Sequence, residues 1–213
     1  MKSTSLTDVA YKNIKEKLIK ATYMPGYLLS ENELAKELGM SRTPIRGAIS
    51  RLESEGYLTS LNNRGILVKE ITLKEALDLG QIIVMFQEYS VDSVLHSGAS
   101  YNIEDLKMYL ELQMETEKND QYFDYLRYNM LFVRSMISII DNATILEILE
   151  SLKCKFIRGG MIHKKITPYQ KHYSLIQTNK SIYDAICAGN YHEIKRLCRD
   201  TIRLSREKLL FNG

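Results

Sequence analysis

The sequence predicts a mainly α protein, an N-terminal winged helix-turn-helix followed by a C-terminal antiparallel bundle of about six helices. Three observations carry this. Two short helices, each with its own start signal, are joined by about three residues, which is helix-turn-helix spacing. Two short strand-like runs then flank Asn62-Asn63-Arg64-Gly65. From Thr72 to Phe211, apolar residues recur at spacings of three and four around a single proline, Pro168.

The first signal is Ser30 with Glu33, the spacing of a capping box in which the serine oxygen accepts from an early helix N–H and the glutamate reaches back. Leu34, Ala35 and Leu38 form the apolar side, and Gly39 stands where a left-handed C-terminal cap ends a short helix. The next helix has Ser41 as its N-cap and Pro44 in its first turn, where the missing N–H has no intrahelical role. A wheel of about 100° per residue puts Ile45, Ala48, Ile49 and Leu52 in one sector and Arg42, Thr43, Arg46 and Ser50 opposite. One face packs, and the other is free to read DNA. Arginine suits that work because its planar fork grips guanine O6 and N7, or phosphate oxygens, and residues near the N-terminus of such a helix enter the major groove. Ser41, Arg42, Thr43, Arg46 and Ser50 are therefore candidate DNA contacts. Gly56 closes the helix, and Tyr57 to Leu61 with Ile66 to Lys69 form a hairpin wing. Asn63, Arg64 and Gly65 occupy its tip, where Asn and Gly accept a tight turn and Arg64 reaches a phosphate or the minor groove.

Residues 7 to 70 resemble the GntR family of bacterial transcription regulators. The resemblance rests on Pro25-Gly26, Leu28-Leu29-Ser30-Glu31-Asn32-Glu33-Leu34-Ala35, Ser41-Arg42-Thr43-Pro44-Ile45-Arg46, Leu52-Glu53-Ser54-Glu55-Gly56 and Arg64-Gly65. It implies operator contacts from Arg42, Thr43 and Arg46 and from the wing tip Asn63 to Gly65. Two positions depart from the family: Asn32 replaces a frequent arginine, and Gly47 replaces a usual glutamate at a cost of about 1 kcal/mol in helix propensity.

The 213 residues exceed what a winged helix needs, so domains are expected at 1–70, for DNA binding, and 71–213, for effector binding and dimerisation, with a short hinge near Glu70 to Leu73. Residues 1 to 70 carry 11 Lys plus Arg against 8 Asp plus Glu, whereas the remainder balances at 18 against 18. The cationic excess lies in the first part but is mild, so the motif carries the nucleic-acid reading. No apolar run approaches the ~20 residues that span a bilayer, so a cytoplasmic protein without membrane contact is expected. Cys154, Cys187 and Cys198 have no metal-type spacing and read as core thiols. Nucleophile elbow, phosphate loop and zincin motifs are absent, which argues against an enzyme.

Six helices are expected after the hinge, near 72–97, 102–118, 120–140, 142–158, 167–188 and 190–210, broken at Gly98, Asn119, Asp141, Gly159-Gly160 and Gly189. Short loops between them favour antiparallel packing. With the local runs Asp141 to Leu146 and Ile182 to Asn190, this half resembles the all-helical FCD domain of the FadR-type branch. Many FCD domains hold a divalent metal through one aspartate and three histidines, and the metal grips a carboxylate effector. The corresponding positions here are Asn129, Val133, Asn179 and Thr201, so neither a metal nor another cofactor is expected. An effector would sit in an apolar cavity near these residues. Arg134 is either a carboxylate clamp or a solvated arginine. The resemblance implies a homodimeric regulator, more often a repressor, on a palindromic double-stranded operator, tuned by a small molecule. The alternative is an architectural or interaction module whose helical half only dimerises.

Overall fold

The computed structural model describes residues 5–62 and 64–211. The chain divides into two compact units, Met1–Ile71 and Thr72–Gly213.

In the first unit, helix α1 (Leu6–Ile19) starts at Ser5, whose Oγ accepts from the Asp8 amide at 3.1 Å. Helix α2 (Glu31–Leu38) starts at Ser30, which accepts from the Glu33 amide at 3.1 Å, and stops at Gly39 with φ of 63°. Helix α3 (Arg42–Ser54) begins from Ser41, which holds the N-cap position without a side-chain capping bond. A full capping box, with both legs, stands at Thr72 and Glu75 instead. Ile45, Ala48, Ile49 and Leu52 of α3 are buried with Ala10, Ile14 and Leu18 of α1. Gly47 falls on the α1 side of α3, where a Cβ would lie 2.9 Å from Thr7 Cγ2, so the glycine that costs helix propensity admits a neighbouring helix. Polar ties close the same seam: Arg51 to Asp8 at 2.6 Å, and Glu55 accepting from Tyr11 at 2.5 Å and Lys15 at 2.6 Å.

The wing is a sheet of three strands, β1 (Leu28–Leu29), β2 (Leu58–Leu61) and β3 (Gly65–Val68), antiparallel in the order β1-β3-β2. Leu28 faces Leu67 and Leu58 faces Val68. Strand β1 was not among the sequence expectations, because two residues are too few to show alternation. It explains Gly65: at φ of 100°, a Cβ would lie 2.9 Å from the Leu29 carbonyl oxygen.

The second unit comprises α4 (Leu73–Ser97), α5 (Ile103–Lys118), α6 (Tyr122–Ile137) with a 3-10 turn at Ser138–Ile140, α7 (Ala143–Ile166), α8 (Leu175–Cys187) and α9 (Tyr191–Phe211). Asn102, Asn142 and Asn190 each cap a helix by accepting from the amide three residues on, at 3.1 Å. Val91, Leu106, Phe132, Met136, Ile182, Ile194 and Cys198 centre the core.

Three expectations are corrected here. Helix α7 does not end at 158 but runs through Gly159-Gly160 to Ile166. At Gly160 a Cβ would lie 2.6 Å from Leu126 Cδ1, so the missing side chain lets α6 approach rather than breaking the helix. The following helix begins at Leu175, not 167, since Thr167 precedes proline and leaves helical geometry at φ −127°, ψ 56°. Side chains hold the intervening segment: His172 Nε2 lies 2.7 Å from the Thr167 carbonyl, Tyr173 donates to Asp120 at 2.8 Å, and Tyr125 accepts from the Leu175 amide at 2.9 Å. The cysteines are not all core thiols either. Cys198 is buried, and burial pushes its thiol up to about 12, whereas Cys154 is half-buried and Cys187 exposed.

Tyr125 is fully buried, so Tyr125→Phe keeps the ring but strands the Leu175 N–H. Chemical denaturation should show the helical unit destabilised by about 1–3 kcal/mol; an unchanged midpoint would mean that the segment before α8 does not depend on this bond.

Candidate functional site

Helix α3 sorts its side chains by face. Pro44, Ile45, Ala48, Ile49 and Leu52 are buried, while Ser41, Arg42, Thr43, Arg46 and Ser50 are all exposed. Arg42, Arg46 and Ser50 follow one another at intervals of four, so they form one ridge along the helix. A residue outside the sequence-level candidates organises this ridge. Glu31, the first residue of α2, accepts from Arg42 Nε at 3.0 Å and Nη2 at 2.6 Å, and from Arg46 Nε at 2.9 and 2.8 Å. One carboxylate thus clasps both arginines. The Arg42 guanidinium, with that of Arg46, holds the Glu31 carboxyl below the usual carboxylate range. The link joins positions 11 and 15 residues apart across the turn, a spacing that no helical periodicity reveals.

At the wing, Arg64 is exposed, and its backbone amide donates to the Leu61 carbonyl at 3.0 Å, closing the turn into β3. Gly65 opens β3. Asn63, the third wing candidate, lies outside the described residues. Asn32, where the family often has arginine, is exposed on α2 beside Glu31.

The second unit contains a cavity of about 580 Å³. Asn129, Val133, Asn179 and Thr201 all line it, so the structure brings together four positions spread over more than seventy residues of sequence. Arg134 does not line it and is exposed, because one residue's step of about 100° turns it away from the Val133 face; it is not a clamp for a ligand in this cavity. The walls are mainly apolar, with Ile83, Val84, Leu126, Met130 and Ile182 among them. On the polar side, Asn179 Nδ2 donates to Asn129 Oδ1 and to Gln113 Oε1, both at 2.9 Å. Gln113 and the wall residue Gln87 are both buried amides that sequence reasoning missed, since neither carries charge or motif. At another part of the wall stand His163, His172 and Lys171, beside the aromatic cluster of Tyr122, Tyr125 and Tyr173. Burial pushes the Tyr122 hydroxyl up to about 12.

Residues 6–68 match the family described as bacterial regulatory proteins, gntR family, and residues 87–204 match the FCD domain. This chain belongs to the GntR family. It is a transcription regulator with a DNA-binding winged head and an FCD domain, not an enzyme. An uncharacterised helix-turn-helix regulator of Bacillus subtilis, YdhC, is 25% identical over 179 residues, covering 80% of this chain and 79% of that one. The gluconate operon transcriptional repressor of Bacillus subtilis is 25% identical over 71% of this chain and 62% of its own length. A GntR transcriptional regulator from Rhodococcus sp. RHA1 shares the fold at a TM-score of 0.80 and 20% identity, over 97% of this chain and 98% of that one. No helix among the described residues is long and apolar enough to cross a membrane.

The metal that many FCD domains hold does not fit this cavity. Val133 offers no donor atom, and Asn129 and Asn179 are neutral amides already bonded to one another. Among the described residues, no group of three or more His, Cys, Asp or Glu is placed to hold a metal ion.

Glu31→Gln removes the carboxylate from both arginines while keeping its shape. Exposed ion pairs of this kind contribute about 0.2–1 kcal/mol each, so with both lost, binding to a scrambled duplex should tighten by roughly two- to thirtyfold in fluorescence anisotropy at fixed salt. Unchanged affinity would show that Glu31 does not hold the arginines in solution.

Proposed function

We propose that this regulator binds a palindromic double-stranded operator as a homodimer, represses transcription, and is tuned by a small molecule in the FCD cavity. The observation that carries the DNA reading is the exposed row on α3, Ser41, Arg42, Thr43, Arg46 and Ser50, set on a helix whose opposite face is wholly buried. Arg42 and Arg46 have the forked donors that read guanine edges, and Arg64 with Asn63 and Gly65 would meet the backbone or minor groove beside them. A helix with so few base contacts needs a second copy, about one helical turn along the duplex, for useful specificity. The gluconate operon relative, a repressor by name, supports that direction of control. Such a protein works in the cytoplasm.

The cavity supports the sensing half of the proposal over the module that only dimerises. A space of about 580 Å³ with buried amides in an apolar wall has the size and mixed lining of a small-molecule site. An effector acts by binding one arrangement of the protein better than another, and DNA affinity changes by that differential.

The test is salt-dependent fluorescence anisotropy on the duplex upstream of the chain's own gene, against a scrambled duplex. Specific regulation predicts a dissociation constant tighter by ~10³ or more on the upstream duplex, and equal, steeply salt-dependent binding to both would favour the architectural reading. Arg46→Ala should cost about 1–3 kcal/mol and relax base preference, whereas Arg64→Ala should weaken all duplexes alike and lower the salt slope by about one. A footprint unaltered by Arg46→Ala would refute the assigned reading face.

A further inference from the structure

We propose that the cavity selects an uncharged, largely apolar molecule that presents a hydrogen-bond donor and acceptor side by side, such as an alcohol or amide, rather than a metal-bound carboxylate. This rests on the effector reading above and names its chemistry.

The inference begins with the bonding capacity of the buried amides. Asn129 and Asn179 are 4% and 3% exposed, and Gln113 is fully buried. Each primary amide has one oxygen acceptor and two N–H donors. Asn179 spends its nitrogen on Gln113 and Asn129, at 2.9 Å each. That leaves the Asn179 oxygen as an acceptor and the two N–H groups of Asn129 as donors, on two residues that both line the cavity, while the Gln113 nitrogen is buried without a partner and away from the lining. The inventory is the same if the amides are turned about. Reversing all three exchanges nitrogen for oxygen throughout, and the cavity again meets one donor and one acceptor. A ligand that displaces water from these two groups costs free energy unless it bonds them, so a partner with the complementary pair is favoured.

Charge is excluded from the same wall. Among the described residues no Asp or Glu lines the cavity, and the residues at the family's ligand positions are neutral. A carboxylate placed against Asn129 and Asn179 would lose its hydration and gain no cation, a heavy penalty in an apolar surround. At one of the two amides it would also set oxygen against oxygen, whichever way they are turned. The basic residues of the lining, His163, His172 and Lys171, lie in and just before the segment preceding α8, and Lys171 is exposed, so it retains water and is screened by salt. An anion held there would leave the amide pair unused. The apolar walls of Leu126, Met130, Val133 and Ile182 then take the hydrocarbon of the ligand.

Two probes of equal length separate these chemistries: octanamide and octanoate, titrated calorimetrically into the full-length protein near neutral pH. Octanamide should bind roughly tenfold tighter or more, one bonded neutral pair set against an unpaired charge. Asn129→Leu should erase most of that preference, and Asn179→Leu serves on the same bridge if the first variant fails to fold by circular dichroism. Octanoate binding as tightly as octanamide would overturn the proposal and move recognition to the Lys171 end. Binding of neither probe by a protein that still discriminates its upstream duplex would overturn it together with the effector reading, while DNA regulation stood. Loss of duplex discrimination with octanamide preference intact would instead strike the DNA reading alone.

Discussion

The burial of one face of α3 is the constraint on which the DNA-binding head depends. A helix of 13 residues is marginal alone in water, and this one carries a glycine at 47 and a proline in its first turn. Its shape is imposed by packing. Ile45, Ala48, Ile49 and Leu52 lose nearly all contact with solvent against α1 and the short sheet, and each of the two isoleucines and the leucine contributes about 1.5–3 kcal/mol when fully buried. That burial also fixes the helix about its own axis, so Arg42, Arg46 and Ser50 must face outward together. Gly47 shows how tight the seam is, since Thr7 occupies the space a side chain would need. The glycine that weakens the helix intrinsically is what lets α1 lie close enough to hold it.

Reading such a surface also requires control of its charge in the absence of DNA. Two exposed guanidinium groups four residues apart repel each other and sample many rotamers. Glu31 opposes both effects, accepting from Arg42 through Oε2 and from Arg46 through both oxygens. The arrangement has a consequence for recognition. In the DNA reading proposed above, a phosphate would displace the carboxylate as a simple anion, but a guanine edge offers geometry as well as acceptors, so holding the arginines back would penalise loosely fitted duplexes more than fitted ones.

How much of this was legible in sequence follows from the range of the interactions. The caps at Ser30 and Gly39, the faces of α3 and the hairpin turn are set by residues within four positions of one another, and all were readable. Strand β1 was not, because two leucines acquire strand geometry only by pairing with β3, nearly forty residues on. Gly159-Gly160 misled for a related reason: glycine marks a helix end or a close approach with the same letter, and only the position of Leu126 distinguishes them. In the cavity, Asn129, Val133, Asn179 and Thr201 were found through resemblance, not pattern. Arg134 was wrongly grouped with them because adjacency along a helix is not adjacency in space. Gln113 and Glu31 carried no local signal, since each matters only through a partner on another helix.

The scale of regulation that such a cavity can support follows from linkage. Moving a two-state protein from about 1:99 to 99:1 takes a ligand preference of roughly 10⁴ between the states. In the dimer proposed above, two identical cavities share this, so each ligand must discriminate by about a hundredfold, or about 2.7 kcal/mol. A hydrogen-bonded donor and acceptor supply about 0.5–1.5 kcal/mol each, and one or two methylenes better buried in one state supply about 0.8 kcal/mol apiece. A neutral amide pair in an apolar wall is therefore strong enough to drive a complete switch, provided that the amides and the hydrocarbon both distinguish the two states. A metal is not required on energetic grounds. What the replacement of Asp and His by Asn and Val changes is the kind of molecule that can act as the switch, from one that charge anchors to one that fit and hydrogen bonding must select.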